Sequence, residues 1–512
     1  MKPLHGILYA IVIIALSFAT LMIVLDYSIA NVSIPYIAGS LAMSNEEGTY
    51  VITAFAVANA IALPITGWLA ARMGAVKLIV LAILLFTVFS IACGFSWNLE
   101  SIVAGRFFQG FSAGPLVPLS QSLIVMASPP KKKAMAIGLW SMVVMVGPVA
   151  GPVIGGWITY NYTWPWIFYM NVPVGLFASF TLWLILRRKD TPKRILPFDY
   201  FGCILLMLGS TALQILLDKG EQWDWWNSLR IRTLIITSVI SFTLLAAWSW
   251  LHPKPLIRLQ LLKIRSFGVA TLFIGVMFGS YFGSVILIPL WLQEYMGYTA
   301  PWAGIAIAPI GFMPFLFGWA IARYVPRFGT PPFLFIALLF FSASCFWVSY
   351  FFDTDIDIFH VGISRFLMGF GMLFFITPLF ILATQDIPEA QLPNSTGLFH
   401  YVRVIAGGFG TSGFVTLWTR RTIFHHERIC ESITAFSTQT KRLFHTLASN
   451  NISGNAALQM ASNEIDKQAA VLALNDCFYL MGWIFLLLTM FLPLARKVKQ
   501  QIIARNDFMG GA

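Results

Sequence analysis

Long apolar runs and short polar segments alternate along the whole chain. Each run is close to the 20 or so mainly apolar residues that a helix needs to cross a bilayer. None has the roughly ten-residue length and alternating polarity of a membrane β-strand. The pattern therefore predicts an all-α membrane protein with fourteen spans, near residues 8–30, 49–71, 77–97, 100–127, 134–157, 165–186, 199–217, 231–251, 267–291, 302–323, 332–352, 358–384, 397–419 and 477–495.

The composition agrees with an integral membrane protein. Of the 512 residues, 58% are hydrophobic and 11% are charged, whereas a soluble domain carries about 25% charged residues. A net charge of +12 would favour nucleic acid as a partner if the protein were soluble. Here the basic residues lie in short loops between apolar runs, where they set the orientation in the membrane instead.

The loop charges predict the orientation. By the positive-inside rule the basic loops and both termini lie in the cytoplasm, which agrees with an even number of spans. The polar segment 420–476 then lies outside; Cys430 and Cys477 flank it, and the sequence leaves open whether they pair. The first run keeps an acid and lacks a cleavage site, so we expect a retained helix. The basic set of alternate loops includes Arg72, Lys77, Lys132, Lys133, Arg187, Arg188, Lys254, Arg258, Arg323 and Arg327.

Two short strings each return later in the chain in a similar form and in the same order. RFFQGF (106–111) returns as RFLMGF (365–370), and GWLAAR (67–72) returns as GWAIAR (318–323). Parallel six-span repeats are a transporter architecture. We therefore expect an N-terminal six-helix bundle (1–190), two inserted spans (191–265) and a C-terminal six-helix bundle that includes the external segment 420–476 (266–512).

An acid and a base lie at matched depths in the first bundle. Asp26 lies about four residues, or roughly 6 Å, below the outer end of span one, and Arg106 lies at a similar depth in span four. A lone charge in the membrane costs about 3 kcal/mol or more, so the two side chains are expected to compensate each other. The functional interpretation is a proton site, in which Asp26 alternates between its protonated and charged forms beside Arg106. The alternative is that both side chains snorkel to the outer interface.

Other polar residues in the spans are secondary candidates. Arg365 has no obvious acid at its depth, so a functional role, snorkelling and a structural bond to backbone carbonyls all stay open. Arg403 lies near the inner end of span thirteen, where snorkelling explains it as well. Asp218 and Glu294, at outer span ends, suit either interface-facing carboxylates or receivers of protons and cationic substrates. The remaining secondary candidates are Asn31 and Gln109.

Span five carries an unusual glycine and proline pattern, VGPVAGPVIGGW (146–157). Glycines spaced four residues apart share one helix face and let a neighbouring backbone come close. Prolines interrupt the hydrogen-bond ladder and bend the helix. A bent, smooth helix suits a gate between rocking halves, and ordinary tight packing is the alternative. The residues of this pattern are Gly147, Pro148, Gly151, Pro152, Gly155 and Gly156.

No motif predicts a bound cofactor or metal. The chain has no Walker A pattern, so we expect no ATP site and assign the driving force to a proton gradient. His425, His426 and His445 lie in the outer segment. Adjacent histidines do not share a helix face, so we predict solvated residues there and not metal ligands.

Several of these strings together resemble the major facilitator superfamily, and within it the fourteen-span drug:proton antiporters of the EmrB type. The resemblance covers essentially the whole chain. One position departs from the superfamily pattern: Ala71 stands where most members have an aspartate after span two, which puts the charged latch at the inner gate in doubt. The strings are LDYSIANVSIP (25–35), GRFFQGFSAGP (105–115), GPVAGPVIGG (147–156) and WPWIFYMNVPVG (164–175).

The resemblance implies a major facilitator fold of two six-helix bundles plus two extra central spans, working by alternating access. It implies proton-driven export of hydrophobic drugs and toxic compounds across the bacterial inner membrane. It also implies a periplasmic adaptor of the EmrA type and an outer-membrane channel of the TolC type. The external segment 420–476 is the natural docking candidate for the adaptor.

Other functions remain open at this stage. The chain could export a single metabolite, siderophore or lipid, and a substrate panel would separate that role from multidrug export. A membrane transferase would need a polar cluster at one membrane face, and the sequence has only short basic loops there. A channel is the remaining alternative, which the internal repeat and the bent span five disfavour.

Overall fold

The computed structural model describes residues 4–43, 45–193, 197–220, 222–434, 437–449 and 454–495; the side chains of Asn31, Pro148 and Pro152 lie outside the described part. Within it the chain forms eighteen α-helices. They are α1 (Gly6–Ser40), α2 (Asn45–Met73), α3 (Ala75–Gly94), α4 (Leu99–Ala113), α5 (Leu116–Ala127), α6 (Lys133–Asn161), α7 (Trp166–Tyr169), α8 (Asn171–Leu186), α9 (Tyr200–Lys219), α10 (Leu229–Leu251), α11 (Arg265–Glu294), α12 (Ala300–Ile307), α13 (Pro309–Phe328), α14 (Pro331–Phe351), α15 (Ile358–Thr384), α16 (Leu392–Ser432), α17 (Thr438–Ser449) and α18 (Asn455–Thr489).

Twelve helical segments in the described part are long and apolar enough to cross a membrane. They account for twelve of the fourteen predicted spans. The other two, 134–157 and 397–419, lie on α6 and α16, which are continuous helices of 29 and 41 residues. In α6 the apolar stretch that can be assigned is Lys133–Val144, and α16 carries His400 and Arg403 within the predicted span. Twelve crossings are thus supported by length and composition, and fourteen remain a prediction.

The helices before and after the inserted pair α9–α10 pack in the same pairwise order. In the first bundle, α1 packs against α6, α2 against α4, and α3 against α8. In the second bundle, α11 packs against α16, α13 against α15, and α14 against α18. These are the same span pairs counted from the start of each half, as the two repeated strings predict.

The two bundles meet along two seams. Helix α6 of the first bundle packs against α13 of the second, and α16 of the second packs against α2 of the first. The first seam requires close backbone approach, because a Cβ added at Gly138 would lie 2.9 Å from the carbonyl oxygen of Gly318. Since the repeat relates α6 to α16 and α13 to α2, the two seams are equivalent contacts.

Neutral hydrogen bonds join the bundles between α5 and α16. The Ser122 and Thr396 hydroxyls are 2.9 Å apart, and His400 Nε2 lies 2.5 Å from the amide oxygen of Gln121. The predicted topology places these contacts near the cytoplasmic ends of the two helices, because α5 ends and α16 begins there. A neutral contact between the bundles therefore exists at the end where the sequence lacks the usual acid.

The inserted pair is a hairpin held by one carboxylate. Asp199 accepts from the backbone N–H of Gly202 at 2.8 Å and caps α9. It also accepts from Trp248 Nε1 on α10 at 2.9 Å and from the Leu256 N–H at 3.0 Å. Helix α9 packs against α2 and α16 as well as α10. The pair is thus a braced unit lying along the α2–α16 seam.

The predicted external segment 420–476 is largely helical. Helix α16 continues to Ser432 and α18 begins at Asn455, with α17 between them. Asp476 on α18 pairs with Arg421 on α16 at 2.5 Å and with His425 Nε2 at 2.7 Å. Cys430 is exposed and Cys477 is buried, and neither forms a disulfide. The two long helices therefore continue beyond the predicted span ends as a paired extension.

An acid from the end of the first bundle caps α3. Asp190 accepts from the backbone N–H groups of Val76 at 2.9 Å and Lys77 at 3.2 Å, and the Thr191 hydroxyl accepts from that of Ala75 at 2.8 Å. Three of the four free N–H groups at this helix start are thereby satisfied by a segment 113 or more residues away. This clamp ties the end of span six to the start of span three.

We expect Asp190→Ala to destabilise the protein by about 0.5–2 kcal/mol, the usual range for the loss of an N-cap. Thermal unfolding of the purified protein in detergent measures the change. Asp190→Asn keeps one acceptor oxygen and should lose less. Lys189→Ala removes an exposed neighbouring side chain and serves as the control. A melting temperature for Asp190→Ala equal to that of the wild type would contradict the clamp.

Candidate functional site

A buried ion pair lies at the centre of the first bundle. Arg106 Nη1 on α4 is 2.5 Å from Asp26 Oδ2 on α1, and both side chains are at most 1% exposed. Helix α4 is started by a capping box in which Asn98 Oδ1 accepts from the Ser101 N–H at 2.9 Å. This cap fixes the register of the helix that carries Arg106. The ion pair predicted from the matched depths is therefore present.

The pair lies farther from the end of its helix than the sequence predicts. Helix α1 continues to Ser40, so Asp26 is about 21 Å from its end at about 1.5 Å per residue. Both side chains are inaccessible to solvent at this position. Snorkelling to the outer interface is therefore wrong for this structure.

Two amide side chains complete the surroundings of Asp26. Gln109 Nε2 donates to Asp26 Oδ1 at 3.0 Å, and Asn171 Nδ2 on α8 donates to the same oxygen at 2.8 Å. Both amides also reach the Ser90 hydroxyl on α3, at 2.7 and 3.4 Å. The carboxylate thus accepts three hydrogen bonds from three residues on two helices. Protonation of Asp26 would remove the charge that holds this network together.

Arg106 is held by groups that carry no charge besides Asp26. Its Nη1 also donates to Gln109 Oε1 at 2.7 Å, and its Nε donates to the Val51 carbonyl on α2 at 3.2 Å. The guanidinium carbon lies 4.3 Å from the centroid of the Phe55 ring, a cation–π distance. Its Nη2 is buried without a hydrogen-bond partner among the described residues. The arginine is therefore fixed by helices α1, α2 and α4 together.

Sequence reasoning missed part of this cluster. Asn171 lies in the quoted string WPWIFYMNVPVG but was not singled out, and Ser90 was not noticed. The available signal for Asn171 was an amide in an apolar span, because buried polar groups need partners. Ser90 gives no such signal, since a hydroxyl can bond to its own helix backbone. Of the secondary candidates, Gln109 belongs to the cluster, and the side chain of Asn31 lies outside the described part.

The glycines of span five face the helix that carries Asp26. A Cβ added at Gly151 would lie 2.5 Å from the Ser28 side chain on α1, and Gly147 and Gly155 also meet α1 closely. Gly156 differs, because a Cβ there would have nothing within 4 Å. Pro148 and Pro152 lie on the same helix, and their side chains are outside the described part. The glycine face therefore lets α6 pack against α1 beside the ion pair.

Arg365, the counterpart of Arg106 in the second bundle, is equally buried but has no acid partner among the described residues. Among the described residues its hydrogen bonds go to the Ser364 hydroxyl at 3.1 Å, the Ser284 hydroxyl at 3.4 Å and Met368 Sδ at 3.7 Å. Its guanidinium lies 5.4 Å from the Phe478 ring centroid. The partners are side chains and not the backbone carbonyls that one interpretation required.

None of the remaining candidates forms a hydrogen bond or an ion pair with Asp26 or Arg106 among the described residues. Asp218 on α9 is exposed and accepts from the Thr53 hydroxyl at 2.6 Å and from Gln214 Nε2 at 3.0 Å. Glu294 is exposed at the last residue of α11. Arg403 lies eleven residues into α16, because that helix begins at Leu392 and not near 397. It therefore lies farther from the start of its helix than the sequence indicates.

Comparison with known proteins identifies the fold and the relatives. The chain matches the family model of the Major Facilitator Superfamily over residues 16–411. It is 38% identical over 487 residues to the multidrug export protein EmrB of Escherichia coli K12, covering 95% of each chain. It is also 38% identical over 494 residues to the fatty acid resistance protein FarB of Neisseria gonorrhoeae, covering 96% of this chain and 97% of FarB.

The fold is also found among solved structures. The proton:xylose symporter XylE superposes with a TM-score of 0.59 over 96% of each chain, at 12% identity. At that identity the likeness shows the fold alone. It agrees with the two repeated bundles described above.

Arg106→Met should strongly destabilise the protein, by roughly 3–5 kcal/mol, because it leaves Asp26 charged, buried and unpaired. The double variant Asp26→Asn, Arg106→Met should lose less than the sum of its two single variants, since it removes both charges. Thermal unfolding of the four proteins in detergent gives the coupling. Additive losses would mean that the two side chains do not depend on each other.

Proposed function

Because the chain belongs to the major facilitator superfamily and to its EmrB-type permeases, and is thus a transporter and not an enzyme, we propose that it exports hydrophobic drugs and toxic compounds in exchange for protons. The observation that carries the proton coupling is the buried Asp26–Arg106 pair. A buried carboxylate with a single arginine partner is a group that one proton can switch between two arrangements.

The proposed cycle starts from the charged pair. Protonation of Asp26 from the outer side neutralises the carboxylate and releases Arg106, whose Nη2 already lacks a hydrogen-bond partner among the described residues. Helix α1 is then free to shift against α6, with which it shares the glycine face around Gly151. Helix α6 in turn packs against α13 across the seam between the bundles. Loss of the proton to the cytoplasm restores the pair and resets the cycle.

The proposed setting is a bacterial inner membrane with both termini in the cytoplasm. The support is the alternation of basic and acidic loops and the twelve membrane-length segments. We also place the chain in a tripartite efflux system with a periplasmic adaptor of the EmrA type and an outer-membrane channel of the TolC type. The helical extension formed by α16, α17 and α18 supports this assembly, because it offers a helical surface beyond the predicted spans.

A dedicated exporter is the second candidate, and one observation favours it. The chain is as similar to FarB, whose name concerns resistance to fatty acids, as it is to EmrB. Export of lipid-like acids alone would fit that relative. A panel of neutral, cationic and acidic compounds separates the two functions, since a dedicated exporter would move one class.

Drug uptake into inside-out vesicles tests the proton coupling. The lumen of such vesicles corresponds to the former outside, so an acid lumen should drive drug inward while protons leave. Wild-type protein should load drug, and Asp26→Asn should lose gradient-driven loading while it still binds drug. Asn is nearly isosteric and keeps partners for Gln109 and Asn171, which makes it the matched variant.

Two outcomes would count against this assignment. If Asp26→Asn loads drug as well as the wild type, the proton is carried by another group. If the wild type accumulates no compound of the panel under any gradient, proton-coupled export itself is wrong. Asp224→Asn, at an exposed loop acid, controls for loss of any carboxylate.

The glycine face predicts a second set of variants. Gly151→Val should reduce transport at least about tenfold, because its side chain would overlap Ser28 on α1 and overpacking costs about 1–3 kcal/mol. Gly156→Ala, five residues along the same helix, should transport normally, since nothing lies within 4 Å of the added carbon. Vesicle uptake normalised to protein amount measures both. Equal activity of the two variants would contradict a role for the face.

A further inference from the structure

Arg403 carries a positive charge that no described acidic residue pairs with. Among the described residues, none of its nitrogen atoms makes a hydrogen bond or an ion pair, and its Nε is buried as well. Its guanidinium carbon lies over the Phe278 ring, 5.2 Å from the ring centroid. The side chain is half-buried, so part of the guanidinium remains accessible. This differs from Arg365, which is 0% exposed and bonds to two serine hydroxyls.

The residue lies deep in its helix. At about 1.5 Å per residue, Arg403 is about 16 Å from the first residue of α16, and the helix continues to Ser432. The snorkelling that the sequence allowed would require a position near the helix start. A lone arginine at such a depth costs about 3 kcal/mol, and such residues usually face a bundle interior or a water-filled cavity.

The neighbours of Arg403 place it at the meeting of the two bundles. His400, three residues earlier and so on an adjacent part of the same helix face, contacts Gln121 on α5 of the first bundle. Phe278 lies on α11 of the second bundle. Arg403 therefore lies between His400, which contacts the first bundle, and Phe278, which belongs to the second bundle. A compound between the bundles would meet its guanidinium.

The surroundings select the chemistry of that compound. Phe278 and the Phe282 ring, which packs at Gly407 one helical turn from Arg403, are apolar. No described acid pairs with the arginine, so an anion bound from outside the chain would supply the opposite charge. A guanidinium binds a planar carboxylate through two parallel hydrogen bonds, and such bonds are strong where water is excluded. A single guanidinium balances a single negative charge.

We propose that Arg403 binds the carboxylate of lipophilic acidic substrates in the space between the bundles. The assignment rests on the proposed export function and adds the residue that recognises one substrate class. The apolar part of the substrate packs on the rings beside α11, and its carboxylate replaces the absent internal acid. His400, whose Nδ1 is buried without a partner, borders the same position.

Binding without any gradient tests the proposal. The full-length protein in lipid nanodiscs is titrated with naphthoate and with naphthamide, two compounds of the same shape that differ in charge. Wild-type protein should bind naphthoate more tightly than naphthamide. Arg403→Gln should weaken naphthoate binding at least about tenfold, the effect of losing hydrogen bonds to a charged group. It should leave naphthamide binding within about twofold, and Arg403→Lys should lie between.

The controls separate recognition from folding and from coupling. Arg420→Gln removes an exposed arginine from the same helix and should bind both compounds as the wild type does. Equal naphthoate binding by wild type and Arg403→Gln would overturn the proposal, as would an equal loss for both compounds. A wild-type protein that does not prefer naphthoate would overturn it too. Because no proton gradient is present, retained binding with failed vesicle transport would count against the proposed antiport and not against Arg403.

Discussion

The first bundle depends on one buried ion pair. Asp26 and Arg106 are both withdrawn from solvent, and removing two charges from water costs more than their attraction returns unless further hydrogen bonds satisfy them. Gln109 and Asn171 supply those bonds to Asp26, and the Val51 carbonyl supplies one to Arg106. The pair therefore constrains four helices at once. Any change in the charge of the pair therefore alters contacts of all four helices.

The second bundle repeats the framework without the acid. The same helix pairs pack together, yet serine and methionine side chains surround Arg365 where Asp26 and Gln109 surround Arg106. A hydroxyl and a thioether cannot exchange a proton near neutral pH, whereas a carboxylate can. Under the proposed mechanism, charge switching would be confined to one half of a nearly symmetric scaffold. The two halves have a common shape and different chemistry.

Much of the candidate site could be predicted from residues whose chemistry conflicts with their surroundings. A charge in an apolar run, as at Asp26 and Arg106, needs a partner. The similar depths of these two residues predicted that they pair with each other. Asn171 is also a polar residue in an apolar run. Its depth could not be matched to that of Asp26, however, since its helix starts only at the break between α7 and α8. The cap of α3 by Asp190 could not be predicted, because it joins residues more than a hundred positions apart through backbone N–H groups. The distance of Arg403 from the start of its helix was underestimated, because Asn394, Ser395 and Thr396 are polar and hid the helix start at Leu392.

The placement of the inserted hairpin makes the two seams unequal. Helix α9 packs against both α2 and α16, so it lies over the seam between them, whereas the α6–α13 seam is formed by the bundles themselves. A compound dissolved in the lipid approaches a transporter sideways as well as from the water. On the α2–α16 side it first meets the hairpin, and on the α6–α13 side it meets the seam directly. The added helices thus make the two lipid-facing sides of a two-fold symmetric framework different.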